Sequence, residues 1–193
     1  MLPSSATPGR AATGDVPPGW TVNPSQWSQR LPIVGLALVG LAAATALALY
    51  QQGVIDTIWE PFFGEGTRQI VIESSFSRLF EGWPIRDAGI GALGYLADAV
   101  TGVIGGTRRW STMPWIVIVF GLFVVPLGAV SVMLTIFQPV LYDAFCTLCL
   151  VSGVISLAMI GPAVDEVLAS LQHLKRERQA GRSVWSAFWG TTG

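Results

Sequence analysis

Four apolar stretches, each close to the length needed to cross a membrane, dominate this chain of 193 residues. They cover residues 32–50, 88–106, 114–137 and 139–161. About 20 apolar residues in a helix span the hydrocarbon core of a bilayer. Hydrophobic residues make up 51% of the chain and charged residues 12%, which is about half the charged share of a soluble domain. The sequence therefore predicts an all-α integral membrane protein in contact with the lipid bilayer.

The predicted architecture is a four-helix bundle with an outer aromatic loop or half-helix as a cap and a C-terminal cytoplasmic amphipathic helix. The third and fourth stretches are joined through Gln138 and Pro139, which makes them antiparallel neighbours. The predicted organisation is a flexible tail over residues 1–26, a membrane domain over 27–162, and a cytoplasmic amphipathic helix and tail over 163–193. Pro162 is expected to begin that amphipathic helix, and His173 is expected on its solvated face.

The positions of lysine and arginine predict the orientation, because they are enriched in cytoplasmic loops. Eight of the 11 basic residues flank the stretches on one side: Arg10, Arg30, Arg108, Arg109, Lys175, Arg176, Arg178 and Arg182. The other three share the loop over residues 51–87 with six acidic residues. Both termini are thus predicted to be cytoplasmic, with 51–87 outside, in a multi-pass protein of the bacterial inner membrane. The net charge of −1 argues against nucleic acid as a partner.

The loop over residues 51–87 is unusually long and aromatic for a connection within a bundle. It contains six large aromatic side chains among polar residues: Trp59, Phe62, Phe63, Phe76, Phe80 and Trp83. Two interpretations are equally supported, an aromatic belt at the membrane interface and a lid over a site.

The only two cysteines, Cys146 and Cys149, are three residues apart in the fourth stretch. On a helix this spacing puts both thiols on one face. If the helix begins at Pro139, Cys146 lies about 10 Å along it. Such a pair can form and break a disulfide with transfer of two electrons and two protons, and a quinone would be the acceptor in lipid. A chance pair of small apolar residues is the alternative, and Asp143 could either relay protons or repel a thiolate.

The residues around the cysteines resemble a known active-site helix. The string LYDAFCTLCL, residues 141–150, is similar to that of the vitamin K epoxide reductase family. The spacing Gly91-x-x-x-Tyr95 resembles the opening of the family's second helix, and a Val-x-x-Ser sequence ending at Ser74 resembles a loop motif. The resemblance covers about residues 30–162. Members are four-helix membrane bundles that reduce quinones, or vitamin K and its epoxide, at the expense of protein thiols.

The resemblance implies a role for each thiol. Cys149 would attack a quinone, either ubiquinone or menaquinone, and Cys146 would exchange disulfides with a separate thiol/disulfide protein. Tyr95, Ser74 and Phe145 are the expected quinone-binding residues. For Tyr95, a hydrogen bond to a quinone carbonyl and a contact between helices are equal alternatives. No metal site is predicted, because two cysteines and one histidine are too few for the usual four zinc ligands.

The chain departs from the family pattern in its first loop. Family members carry a shuttle cysteine pair there, whereas this chain has Arg68 at the motif's cysteine position and no loop cysteine. Two hypotheses follow: a membrane thiol–quinone oxidoreductase that receives electrons directly at Cys146, or a catalytically idle membrane subunit with a binding or assembly role. Asp98, an acid inside the second stretch, is either functional or close to the interface.

Overall fold

The computed structural model describes residues 15–64 and 87–191, and every regular element in these ranges is an α-helix. The helices are α1 Trp27–Gln51, α2 Asp87–Val103, α3 Arg109–Thr112, α4 Pro114–Tyr142, α5 Thr147–Gln179 and α6 Val184–Trp189. Three of them, α1, α4 and α5, are long and apolar enough to cross a membrane. Helix α2 has 17 residues. The all-helical class is thus confirmed for the described residues, with three helices fit to be membrane spans.

The four longest helices pack against one another through small residues. Helix α1 lies along α2 and also contacts α5, while α4 lies along α5 and also contacts α2. A Cβ atom added at Gly40 would come within 2.6 Å of the Tyr95 ring, and one at Gly128 within 2.6 Å of Ile160. Glycine is therefore required for these close approaches, as is common between helices in lipid. The core around them is apolar and includes Ala37 and Phe120.

A buried ionic cluster holds the helices together at the end remote from the cysteines. Arg109 pairs through two hydrogen bonds with the carboxylate of Glu166, and both side chains are almost fully buried. Ser25 donates a further hydrogen bond to Glu166. Arg30 donates to the carbonyl oxygens of Gly102 (2.9 Å) and Gly105 (2.8 Å). These contacts satisfy carbonyl groups that the end of α2 leaves without helical partners.

The segment over residues 15–26 lies against the same end of the molecule. The Trp20 indole donates to the Gln172 side chain at 3.0 Å, and the Asn23 amide donates to the Thr107 carbonyl at 2.7 Å. His173 packs edge-on against Trp110 with ring centroids 5.7 Å apart. The described part of the N-terminal segment therefore contacts both the loop after α2 and the last turns of α5.

The break before α5 is not where the sequence predicted it. Helix α4 continues through Pro139 to Tyr142, so the prediction that the cysteine helix starts at Pro139 is wrong. Helix α4 ends at Asp143, whose backbone is left-handed (φ 45°, ψ 36°), a conformation that aspartate tolerates better than most residues. The connection to α5 is the short stretch that ends at Cys146.

Pro162 does not begin a helix either. Helix α5 runs without interruption from Thr147 to Gln179, with Pro162 in its interior. A proline removes one intrahelical hydrogen bond, but packing of α5 along α4 and the ion pair of Glu166 with Arg109 hold both halves of the helix in line. The predicted amphipathic helix is therefore the last part of α5.

We expect Glu166→Ala to destabilise the protein strongly, because the substitution leaves the Arg109 guanidinium buried without its carboxylate. Breaking a buried ion pair from one side costs about 3–5 kcal/mol. Thermal unfolding in detergent measures the effect. Asp165→Ala is the matched control, since Asp165 is the adjacent acid and is exposed. Equal unfolding temperatures for the two variants would contradict the structural role of the pair.

Candidate functional site

The two cysteines lie at the N-terminus of α5. Cys146 is the N-cap residue, and its sulfur accepts a hydrogen bond from the backbone N–H of Cys149 at 3.3 Å. Both thiols are free. The prediction that Cys146 lies about 10 Å inside a helix is therefore wrong. Unpaired N–H groups and the helix dipole favour negative charge at this position, which helps a thiol to react as thiolate.

Gln138 determines the turn that precedes the cysteines. Its side-chain carbonyl accepts a hydrogen bond from the Cys146 N–H at 2.9 Å, and its backbone carbonyl accepts one from the Ala144 N–H at 3.4 Å. The side chain is almost fully buried, at 3% exposure. Sequence analysis treated Gln138 only as part of a connection, although a glutamine in an otherwise apolar helix was the available signal.

Residues of the loop that follows α1 cover the start of α5. The Glu60 carboxylate accepts hydrogen bonds from the Thr147 backbone N–H at 2.8 Å and from the Thr147 hydroxyl. The Phe63 ring stacks on Phe145 with centroids 5.0 Å apart. Cys146 has no exposed surface. The sequence carried no signal for Glu60 beyond an acid among aromatic residues.

The described aromatic residues of the loop have two kinds of environment. Phe63 packs on Phe145 in the turn before Cys146, as a residue of a lid would. Trp59 and Phe62 are 68% and 75% exposed, as residues of an interfacial belt would be. Phe76, Phe80, Trp83 and the predicted quinone-binding residue Ser74 lie outside the described residues.

An apolar cavity of about 460 Å³ opens beside Cys149. Side chains of α1, α2, α4 and the first turns of α5 line it, among them Cys149, Tyr95 and Ser152. Most of its wall is formed by apolar side chains of α2 and α4 and by glycines of α2. The volume falls in the range of pockets that bind small molecules. Cys149 therefore faces the cavity, whereas Cys146 is not among the residues that line it.

Tyr95 lines the cavity with its ring and links two helices with its hydroxyl. The hydroxyl lies 2.8 Å from the Ser152 carbonyl, to which it donates, and 2.7 Å from the Ser156 hydroxyl. The contact between helices, one of the two alternatives for Tyr95, is thus present from α2 to α5, while the hydrogen bond to a quinone carbonyl stays a prediction. Asp98, one turn later, is 1% exposed, and neither of its carboxylate oxygens has a hydrogen-bond partner among the described residues.

The structure brings together four of the five predicted site residues. Cys146 and Phe145 lie in the turn before α5, and Cys149 and Tyr95 lie at the cavity. Sequence analysis missed Gln138 and Glu60.

The sequence model of the Vitamin K epoxide reductase family matches residues 31–163. The matched region contains most of α1, all of α2, α3 and α4, and the first half of α5 with the turn that precedes it. The chain belongs to this family, as its residues 141–150 predicted. No curated protein and no solved structure gives a significant match to the chain.

We expect Glu60→Ala to speed the alkylation of Cys146, because the substitution removes the carboxylate that holds the loop on α5. Loss of such a capping acceptor costs about 1 kcal/mol, which corresponds to roughly fivefold more frequent opening. The rate of maleimide labelling is measured in a Cys149→Ala background, so that Cys146 is the single thiol. Asp56→Ala, which changes an exposed acid of the same loop, should leave the rate unchanged. Equal rates in both variants would show that Glu60 does not restrain the loop.

Proposed function

We propose that this protein is a membrane thiol–quinone oxidoreductase that passes electrons from protein thiols to a quinone through Cys146 and Cys149. The observation that carries the proposal is the position of Cys149 in the wall of an apolar cavity of about 460 Å³. Cys146 is its immediate neighbour on the side of the outer loop. Cys149 thus lies next to a cavity that could hold an apolar oxidant. Cys146 lies beneath the loop, on the side from which a protein thiol would approach.

The proposal includes a membrane topology of four spans. Helix α2, at 17 residues, would be about 26 Å long, close to the thickness of the hydrocarbon core, and it packs between α1 and α4. The end that contains Arg30, Arg109 and Arg176 would face the cytoplasm. The cysteine turn and the aromatic loop would then lie at the outer face, where exported proteins carry thiols to be oxidised.

The residues around the cavity suit a quinone. Quinones are apolar rings with two carbonyl groups, and the wall offers hydrocarbon surface together with hydroxyl-bearing side chains. When bound, a quinone supplies an acceptor for two electrons and two protons. Tyr95 contributes a ring to the wall, whereas Phe145 stacks on Phe63 and is not among the residues that line the cavity. Either ubiquinone or menaquinone would satisfy these contacts.

The oxidation step uses both thiols. Cys149 delivers its electrons into the cavity, and the Cys146 sulfur then bonds to the Cys149 sulfur to form the disulfide. Two electrons and the two thiol protons leave on the quinol, so the step is balanced.

A separate dithiol protein resets the pair. One of its thiolates attacks the Cys146 sulfur, and Cys149 is released as a thiol. The second thiol of that protein then displaces Cys146 and carries the disulfide away. Direct attack is required, because Cys146 and Cys149 are the only cysteines of the chain. The loop residues Glu60 and Phe63 must move first, since Cys146 is fully covered.

Purified protein in detergent is expected to reduce a short-chain ubiquinone or menaquinone with dithiothreitol as electron donor. Cys149→Ala should abolish this activity, because the cavity would no longer contain a thiol. The absorbance change of the quinone measures the rate, and Ser170→Ala, which changes a buried serine far along α5, is the control. A wild-type rate no higher than that of Cys149→Ala would favour the idle membrane subunit.

The two cysteines should also differ in disulfide exchange. With oxidised glutathione, Cys149→Ala is expected to hold a stable mixed disulfide at Cys146, because no neighbouring thiol can displace the glutathione. Cys146→Ala should form much less adduct, since Cys149 faces the cavity. Intact-protein mass spectrometry quantifies both products. A larger adduct on Cys146→Ala would reverse the assignment of the two roles.

A further inference from the structure

One hydroxyl group in the cavity wall has no partner. The side-chain oxygen of Ser152 is buried and makes no hydrogen bond among the residues that the structure describes. Burying a hydroxyl without a partner is unfavourable, and the great majority of buried polar atoms in proteins are hydrogen-bonded. A helical serine often satisfies itself by donating to the carbonyl four residues earlier, but Ser152 does not. The hydroxyl is therefore unpaired, and because its oxygen has almost no accessible surface, rotation about the Cα–Cβ bond is needed to present it to the cavity that Ser152 lines.

Ser152 is placed next to the reactive thiol. It follows Cys149 by three residues in the same helix, which puts the two side chains on one face of α5. The rise between them is about 4.5 Å along the helix axis. Both residues line the same cavity. A flat ring held against the Cys149 sulfur would therefore have Ser152 within reach of one edge.

The other hydroxyl groups of the cavity wall are already engaged. Tyr95 bonds to α5, Thr135 donates to the Ser131 carbonyl at 2.8 Å, and the Ser131 hydroxyl accepts from Ser156 at 3.2 Å. Tyr142 also has an interaction of its own. Among the described residues that line the cavity, Ser152 is thus the one whose hydroxyl has no hydrogen-bond partner within the protein.

The backbone at Ser152 is held in place by the opposite helix. The Tyr95 hydroxyl donates to the Ser152 carbonyl at 2.8 Å, so that α2 fixes this turn of α5. The side chain has only one rotatable bond between the backbone and its oxygen. The Cα and Cβ atoms of Ser152 are therefore held in place relative to Cys149 before any ligand enters, and rotation about one bond is enough to bring the hydroxyl to the cavity.

We propose that Ser152 donates a hydrogen bond to a carbonyl oxygen of the quinone that Cys149 reduces, an assignment that rests on the proposed function. As electrons pass from the Cys149 sulfur into the ring, negative charge develops on that oxygen and the hydrogen bond strengthens. The two protons released by the thiols end on the quinol, and Ser152 keeps its own. The serine thus binds the oxidised ring, orients it towards Cys149 and stabilises the reduced product as it forms.

Ser152→Ala is expected to lower kcat/KM for the short-chain quinone roughly 10- to 100-fold, as loss of a hydrogen bond to a developing charge does. Ser170→Ala is the matched control. Its side-chain oxygen is likewise buried without a hydrogen-bond partner among the described residues, on the same helix but away from the cavity. Both variants should fold and keep the wild-type rate of disulfide formation with diamide, an oxidant that needs no quinone site. Equal kcat/KM values for the two variants would overturn the assignment of Ser152 and leave the proposed function intact.

A binding measurement separates the two proposals if the wild-type protein shows no turnover. Three proteins are compared: Cys149→Ala alone, Cys149→Ala with Ser152→Ala, and Cys149→Ala with Ser170→Ala. The measurement is the rise in unfolding temperature that a short-chain quinone causes in each. A rise that disappears only with Ser152→Ala would retain Ser152 as a binding residue while the redox function fails. No rise in any variant, or the same rise in all three, would overturn the Ser152 proposal.

Discussion

The hydrogen bond from the Cys146 backbone to the Gln138 side chain governs the arrangement of the site. It joins the last turns of α4 to the start of α5 across a connection of four residues, from Asp143 to Cys146. Because α5 can start only after this turn, Cys146 becomes its N-cap and Cys149 enters its first turn. The helical period then directs Cys149 and Ser152 to the same side, where α1, α2 and α4 leave the cavity open. Glu60 adds a second set of hydrogen bonds to the same helix end.

Two sets of polar contacts among the described residues lie at opposite ends of the helices. One set joins helices through buried charges, and the other joins a loop to the start of α5. At the end remote from the cysteines, Arg109 and Glu166 are buried and paired, and Arg30 satisfies the carbonyl groups at the end of α2. A charge withdrawn from water needs such partners, so this end is a fixed point of the fold. At the other end the contacts of Glu60 and Phe63 come from a loop. A loop can open at little cost compared with a packed helix, which would suit the disulfide exchange at Cys146 that the proposed function requires.

Several features could be predicted from the residues alone. Long apolar stretches predicted α1, α4 and α5 as helices long and apolar enough to cross a membrane. The string around Cys146 and Cys149 was sufficient to indicate the family. The break before α5 lies at Asp143 and not at Pro139, because aspartate tolerates the left-handed backbone that ends α4, whereas Pro139 stays within the helix. In α4 and α5, packing between neighbouring helices outweighs the hydrogen bond that each proline removes.

The sequence by itself determined the helical class, the family and the two residues that bear thiols, since hydropathy and a ten-residue motif are local properties of a chain. The family resemblance implied which thiol would meet a quinone, but only the tertiary structure shows that Cys149 lines a cavity and that Cys146 lies beneath the loop that follows α1. It also decided that Gln138 and Glu60, separated by 78 positions in the chain, act on the same helix end. The physical reason is that a hydrogen bond or a cavity wall depends on distances between helices, and no local pattern of residues contains those distances.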